Sequence, residues 1–132
     1  MKQGTGIWKG NFMEWNLDDS RPIWPQLKEQ IMKAIVAGQY EMGSGFPTVR
    51  DLSAEAGVNR NTMQRALSEL ENEGLLITNR TSGRIVTEDE ELVKEMKEKI
   101  AMESISRFIE EMASIGYGPE NIIKMIEEKG DK

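Results

Sequence analysis

The chain has 132 residues without cysteine or histidine, which excludes disulfides, zinc sites built from those residues and histidine-based catalytic triads. No apolar run reaches the roughly 18 to 20 residues of a membrane helix, so we expect a cytoplasmic protein with no membrane partner. The net charge of −6 lies in the C-terminal part, because residues 1–87 carry ten basic and ten acidic side chains and residues 88–132 carry seven and thirteen.

Residues 1–12 show no periodicity and are predicted to form a flexible lead. Residues 9–11 can be encoded by a sequence that resembles a bacterial ribosome-binding site, and Met13 follows at a suitable spacing. We therefore hypothesise that Met13 is the natural first residue and that the lead is an extension of the reading frame.

The first predicted helix opens with Pro22 and Pro25 and ends at Gly38. Its apolar stripe consists of Leu27, Ile31, Ala34 and Ile35. Residues 40–47 contain two glycines and a proline and are predicted to form a loop. Two aromatic side chains are expected to fill the small core: Trp15 and Trp24.

Two more helices are predicted around a glycine turn. Thr48 caps the first, with Asp51 at its N3 position, and Gly57 ends it. Asn59 caps the second. The apolar stripe of this second helix is Met63, Ala66, Leu67 and Leu70, and its opposite side carries Asn61, Gln64, Arg65 and Ser68. One side is therefore expected to pack and the other to remain free for a partner.

The free side carries amide, guanidinium and hydroxyl groups, which bond to base edges and phosphates in a major groove wide enough to admit one helix. The alternative is an ordinary solvated helix face. The hairpin predicted immediately after this helix favours DNA binding over an ordinary solvated face.

A hairpin is predicted next. Gly74 ends the helix, residues 75–77 are predicted to form a short buried run, and Gly83 permits the positive φ of a turn. Arg80 and Arg84 flank this turn and can meet phosphates or a minor groove. A plain structural hairpin remains open, but with three preceding helices the pattern predicts a winged helix-turn-helix. The balanced charge of residues 1–87 favours a sequence-specific reader over a protein that coats DNA.

The C-terminal part is predicted to contain a long helix and a short one. A capping box of Thr87 and Glu90 opens the long helix, glycines follow Ile115, and Pro119 opens the short one. Two helices cannot bury their stripes on each other alone, so we expect a homodimer, although packing back onto the winged domain stays open. The predicted dimer interface comprises Met96, Ile100, Ile105, Phe108, Ile109, Met112, Ile115, Ile122, Ile123 and Ile126.

These elements predict a mainly α fold with a small β-wing. Residues 13–87 form an N-terminal winged helix-turn-helix, and residues 88–132 form a C-terminal two-helix dimerisation region.

Five segments, taken in order, resemble the N-terminal domain of GntR-family bacterial transcription regulators: PIWPQL at 22–27, IVAG at 35–38, FPTVRDL at 46–52, GVNRNT at 57–62 and ALSELENEGL at 66–75. The short two-helix tail resembles the YtrA subfamily. The resemblance implies a sequence-specific, dimeric DNA-binding repressor, often of its own operon and often of one that encodes an ABC transporter.

In the family, the arginine that opens the second helix binds backbone phosphate, and Arg50 occupies that place here. The resemblance implies that the residues reading bases and phosphates are Asn59, Arg60, Asn61, Thr62, Gln64 and Arg65. An Arg-Gly pair marks the wing tip, and here the glycine is displaced to Gly83. The DNA-binding residues expected from pattern and resemblance together are Thr48, Arg50, Asn59, Arg60, Asn61, Thr62, Gln64, Arg65, Ser68, Arg80, Ser82, Gly83 and Arg84.

No cofactor or metal is expected. A tail of about 45 residues is too short for an enclosed effector pocket within one subunit, but a pocket between subunits stays open. The sequence does not identify a small-molecule effector. Neighbouring carboxylates such as Glu110 and Glu111 point apart on a helix, so we expect no enzyme. The alternative function is a winged-helix module that binds proteins without direct DNA readout.

Overall fold

The computed structural model describes residues 13–81 and 83–130, and the predictions made for residues 1–12 and for Ser82 lie outside this part of the chain. The described residues contain α1 Ile23–Val36, α2 Val49–Ala56, α3 Arg60–Asn72, β1 Leu76–Asn79, β2 Gly83–Val86, α4 Glu90–Ser114 and α5 Pro119–Gly130. Three helices followed by a two-stranded wing and two more helices confirm the predicted fold class.

The chain divides into two compact units, with the boundary between Lys97 and Glu98, inside α4. This boundary lies later in the chain than the predicted domain boundary after residue 87. The reason is that the first turns of α4 pack against the core of the N-terminal unit. The contacting side chains are Leu92, Val93 and Met96.

Capping residues set the limits of α2 and α3 as predicted. Thr48 Oγ1 accepts a hydrogen bond from the N–H of Asp51 at 3.0 Å, and Asn59 Oδ1 accepts one from the N–H of Asn61 at 2.6 Å. Gly57 ends α2 with φ +71°, a left-handed conformation that favours glycine. The turn between the two helices is therefore specified by Gly57 and Asn59, and Thr48 fixes the start of α2.

The core of the N-terminal unit is formed by the predicted apolar stripes. The helix α3 packs on both α1 and α2, and its four stripe residues are fully buried. The largest fully buried side chains are Leu27, Ile31, Ile35, Leu52, Met63, Leu67, Leu70, Leu75, Leu76 and Val86. Because this stripe is held inward, the opposite side of α3 is held outward.

The segment 40–47 is more ordered than the predicted loop. Its backbone runs beside β2: the N–H of Phe46 donates to the carbonyl of Arg84 at 2.8 Å, and the N–H of Val86 donates to the carbonyl of Ser44 at 2.9 Å. Tyr40 and Phe46 are buried, with ring centroids 4.8 Å apart. The wing is therefore attached to the chain that leads into α2.

The wing is an antiparallel pair in which Leu76 lies opposite Val86 and Asn79 lies opposite Gly83. The predicted buried run is wrong at Ile77, which is 45% exposed. Successive strand residues face opposite sides, so Leu76 points into the core and Ile77 points away from it.

The predicted capping box at the start of α4 is also wrong. The cap is Asp89, whose Oδ1 accepts from the N–H of Leu92 at 3.1 Å. Thr87 is buried, and its hydroxyl oxygen accepts from the N–H of Asp89 at 3.0 Å. Thr87 therefore shapes the approach to the helix.

The C-terminal unit leaves most of its apolar side chains exposed. Gly116, with φ +100°, ends the turn after α4, and Ile122 in α5 is 5% exposed. The exposed large apolar residues of this unit are Met102, Ile105, Phe108, Ile109, Ile115, Tyr117, Ile123, Met125 and Ile126. None of the described helices is long and apolar enough to cross a bilayer.

Candidate nucleic-acid interface

The outward side of α3 presents the polar groups that the sequence predicted. Asn61, Gln64 and Arg65 are exposed, and Ser68 is partly buried. Gln64 Nε2 donates to Ser68 Oγ at 3.1 Å. This bond restrains the Gln64 amide and leaves its oxygen and its second N–H available for an external partner.

Further exposed polar groups lie at the start of α2 and at the start of α3. Arg50 in the first turn of α2 is exposed, and its Nε lies 3.5 Å from Asp51 Oδ1. Arg60 is the first residue of α3 and is also exposed. The cap residues Thr48 and Asn59 use their side-chain oxygens as acceptors within the protein, so their hydroxyl and amide donors remain available.

The wing arginines differ from each other. Arg80 is exposed next to the tip, as expected. The expectation that Arg84 is available to phosphates needs correction, because its side chain is 17% exposed and its Nη2 lies 3.3 Å from Glu71 Oε1 in α3. Thr78, the cross-strand partner of Arg84, donates its hydroxyl to the other oxygen of Glu71. Glu71 therefore ties both wing strands to α3.

The structure brings some of the predicted residues into shared depressions. Thr48, Gly83 and Arg84 line a depression of about 290 Å³ between the start of α2 and the wing. Asn59 and Thr62 line another of about 360 Å³ at the turn between α2 and α3. Gly83 begins β2 with φ +79°, which agrees with the positive φ predicted for the turn.

Arg65 has a partner in α1. Its Cζ lies 4.3 Å from the centroid of the Trp24 ring, the distance of a cation–π contact. Trp15 behaves as predicted: it packs on the core cluster, and its indole N–H donates to Glu55 at 2.9 Å. Trp24 is only partly buried, and its ring contacts Arg65 on the outward side of α3.

Glu71 and Trp24 are the residues that the sequence reasoning missed at this site. Glu71 follows Gln64 by seven residues, so helical spacing places both on neighbouring parts of α3, and that signal was available. The contact of Trp24 with Arg65 joins residues 41 positions apart and leaves no local pattern.

A buried helix pair, a polar recognition helix and a two-stranded wing define a winged helix-turn-helix protein. A family model described as "Bacterial regulatory proteins, gntR family" matches residues 25–86. The uncharacterised regulator YhcF of Bacillus subtilis is 32% identical over 114 residues, which cover 86% of this chain and 94% of YhcF. The chain belongs to the GntR family of DNA-binding transcriptional regulators.

Two further comparisons agree with this assignment. A GntR-family regulator from Listeria monocytogenes has a solved structure that superposes with a TM-score of 0.78 at 37% identity, over 85% of this chain and 98% of that chain. The Bacillus subtilis repressor YtrA is 34% identical over 70 residues, which cover 53% of this chain and only 54% of YtrA. These findings confirm the resemblance to GntR regulators with YtrA among the relatives, and they confirm a DNA-binding class of protein that is not a class of enzymes.

Proposed function

We propose that the chain is a homodimeric repressor that binds a two-fold symmetric operator, with one α3 helix per subunit in successive major grooves. The half-sites would lie about one helical turn, or 34 to 36 Å, apart. The single observation that carries this proposal is the outward polar side of α3, held in place by a stripe that is completely buried.

Within this interface the side chains divide by chemistry. Asn61 and Gln64 carry amides that can bond bidentately to a base edge, and adenine is the base that offers the matching donor and acceptor. Four exposed arginines can meet phosphates: Arg50, Arg60, Arg65 and Arg80. The remaining predicted groups can donate to phosphate or base: Thr48, Asn59, Thr62 and Ser68.

The dimer is proposed from the exposed apolar residues of the C-terminal unit. Apolar side chains that stay exposed among residues 13–81 and 83–130 mark an interaction surface, and a second copy of α4 and α5 offers the same apolar chemistry in return. Met96 and Ile122 are less suited to this interface than the sequence suggested. Met96 packs on the N-terminal core, and Ile122 is buried within one chain.

Repression is proposed because the relative YtrA is named a transcriptional repressor. Control of the chain's own operon, and an ABC transporter encoded there, rest on the resemblance to the YtrA subfamily. A dimer bound across a promoter would repress by blocking access to it.

A mobility-shift titration with the DNA upstream of the gene tests this proposal. The wild-type chain should retard this DNA in the presence of excess mixed-sequence duplex, and Gln64→Ala should lose that preference. Gln39→Ala is a matched control, because Gln39 is an exposed glutamine beyond the end of α1. Failure to retard any DNA, together with a stable complex with another protein from cells, would support the protein-interaction module instead.

A further inference from the structure

The stack of Arg65 on Trp24 joins the recognition helix to the beginning of α1. Arg65 is exposed on α3, and Trp24 lies in the first turn of α1. Since their separation is 4.3 Å, the guanidinium plane is held against an aromatic face while it remains in contact with solvent. An exposed arginine normally samples many rotamers, so the ring restricts a side chain that would otherwise be mobile.

A guanidinium that is stacked in this way can still bind an anion. The aromatic ring contacts the face of the group, whereas its N–H donors point outward in the plane. None of the ion pairs among the described residues involves Arg65, although Glu69 lies one helical turn further along α3. The donor edge of Arg65 is therefore open to an external acceptor.

The side of α3 on which Trp24 holds the Arg65 guanidinium favours a backbone phosphate as its acceptor. A helix with its side chains is about 10 to 12 Å wide and nearly fills a major groove of about 12 Å, so its flanks face the phosphate walls. Trp24 draws the Arg65 head group towards α1, on one flank of α3. Gln64 is rotated from Arg65 by about 100° around the helix axis. Glu71, two turns beyond Gln64 on the same side of α3 and about 120° around the axis from Arg65, contacts the wing.

We propose that Trp24 is a positioning residue for DNA binding, which holds the Arg65 guanidinium beside α1 so that it binds a backbone phosphate on DNA of any sequence. This inference rests on the proposed docking of α3 in the major groove. The stack lowers the entropy that Arg65 loses when DNA binds, since its side chain is already restrained. Trp24 itself makes no contact with DNA.

Fluorescence anisotropy with two labelled duplexes of about three helical turns tests the inference, one of mixed sequence and one from the DNA upstream of the gene. Arg65→Ala should weaken binding to both duplexes by a similar factor. It should also reduce the slope of log affinity against log salt by about one. Lys33→Ala is the matched control, because Lys33 is an exposed cation in the last turn of α1, and it should leave the slope unchanged.

The Trp24 variants separate positioning from simple structural support. Trp24→Leu should weaken binding to both duplexes by about two- to fivefold and keep the salt slope, since the phosphate contact still forms. Trp24→Phe retains an aromatic face and should restore most of the affinity. In the Arg65→Ala background, Trp24→Leu should cause no further loss.

Two outcomes would overturn this inference while the proposed function stands: an unchanged salt slope in Arg65→Ala, or independent, multiplicative losses from the two substitutions. Arg65→Ala alters an exposed side chain, so the first outcome can be read even if Trp24→Leu fails to fold. If the wild-type chain binds neither duplex, the proposed function fails first and the inference fails with it.

Discussion

The helix α3 and the C-terminal unit place their apolar side chains in opposite surroundings. In α3 every stripe residue is fully buried by α1, α2 and the wing. In α4 none of the residues is fully buried, and α5 buries only Ile122. Helical periodicity therefore shows which side of a helix is apolar but not what covers it. The N-terminal unit supplies its own cover, and we propose that the C-terminal unit obtains its cover from a second chain.

The largest expected effect on stability comes from removing a buried side chain from the apolar stripe of α3. Leu67→Ala should lower the free energy of unfolding by roughly 2 to 5 kcal/mol, because the buried side chain leaves a cavity. Urea unfolding followed by circular dichroism measures this loss. The matched control is Ile123→Ala, where the side chain is 58% exposed, so a dilute single chain should change by less than about 0.5 kcal/mol. Equal losses at the two sites would remove the contrast between the units.

The next largest effect is expected on the oligomeric state, from changes to the exposed apolar side chains of α4. The double variant Ile105→Asp, Phe108→Asp should shift the dimer to monomer, because two charges would have to be buried at the apolar interface. Light scattering after size-exclusion chromatography measures the mass. Affinity for a two-fold operator should also fall, because a monomer places only one α3 on the DNA. The expected loss is more than about tenfold, which corresponds to 1.4 kcal/mol.

Arg107→Asp controls for the added charge, because Arg107 lies about 200° around α4 from Ile105. It should leave the mass unchanged. A double variant that remains dimeric would place the interface elsewhere, and a monomeric wild-type chain would remove the proposed dimer.

A smaller effect is expected where the wing meets α3. Glu71→Gln removes the charge that pairs with Arg84 Nη2, while Arg84 Nε is already buried without a hydrogen-bond partner. The change should lower the free energy of unfolding by roughly 1 to 3 kcal/mol. The released guanidinium should also raise affinity for mixed-sequence DNA. Glu69→Gln is the control, since Glu69 lies on α3 and takes part in none of the ion pairs among the described residues. Identical behaviour of the two variants would show that Glu71 does not hold the wing.

The smallest effect is expected at the cap of α2. Thr48→Ala removes the acceptor for the N–H of Asp51 and should cost about 1 kcal/mol, measured as a lower urea midpoint. Thr48→Ser keeps the hydroxyl and should retain most of the stability. If the serine and alanine variants are equally unstable, the methyl group rather than the cap is responsible.

Much of the N-terminal unit can be predicted from local sequence. Caps such as Thr48 and Asn59 act within three residues, and a buried stripe repeats within two helical turns, so both leave signals in a short window. The wing strands were also predictable, apart from the side that Ile77 faces. The start of α4 was missed because Thr87 and Asp89 both suit a cap, and only the burial of Thr87 decides between them.

The candidate site was predictable in composition but not in its internal contacts. The exposed side of α3 can be deduced from the spacing of Asn61, Gln64 and Arg65. The partner of Arg84 depends on how the wing packs on Glu71, and the partner of Arg65 depends on how α1 crosses α3. Contacts of this kind arise only after the helices have packed, so a single sequence does not contain them.

The most direct test compares the base preferences of the wild-type chain with those of Asn61→Ala and Gln64→Ala by selection from a randomised DNA library. The wild-type chain should select a two-fold symmetric site. Each variant should lose preference at one symmetric pair of positions, at a cost of about 1 to 3 kcal/mol, and keep the other positions. If both variants select the same site as the wild-type chain with the same preferences, the outward side of α3 does not read DNA.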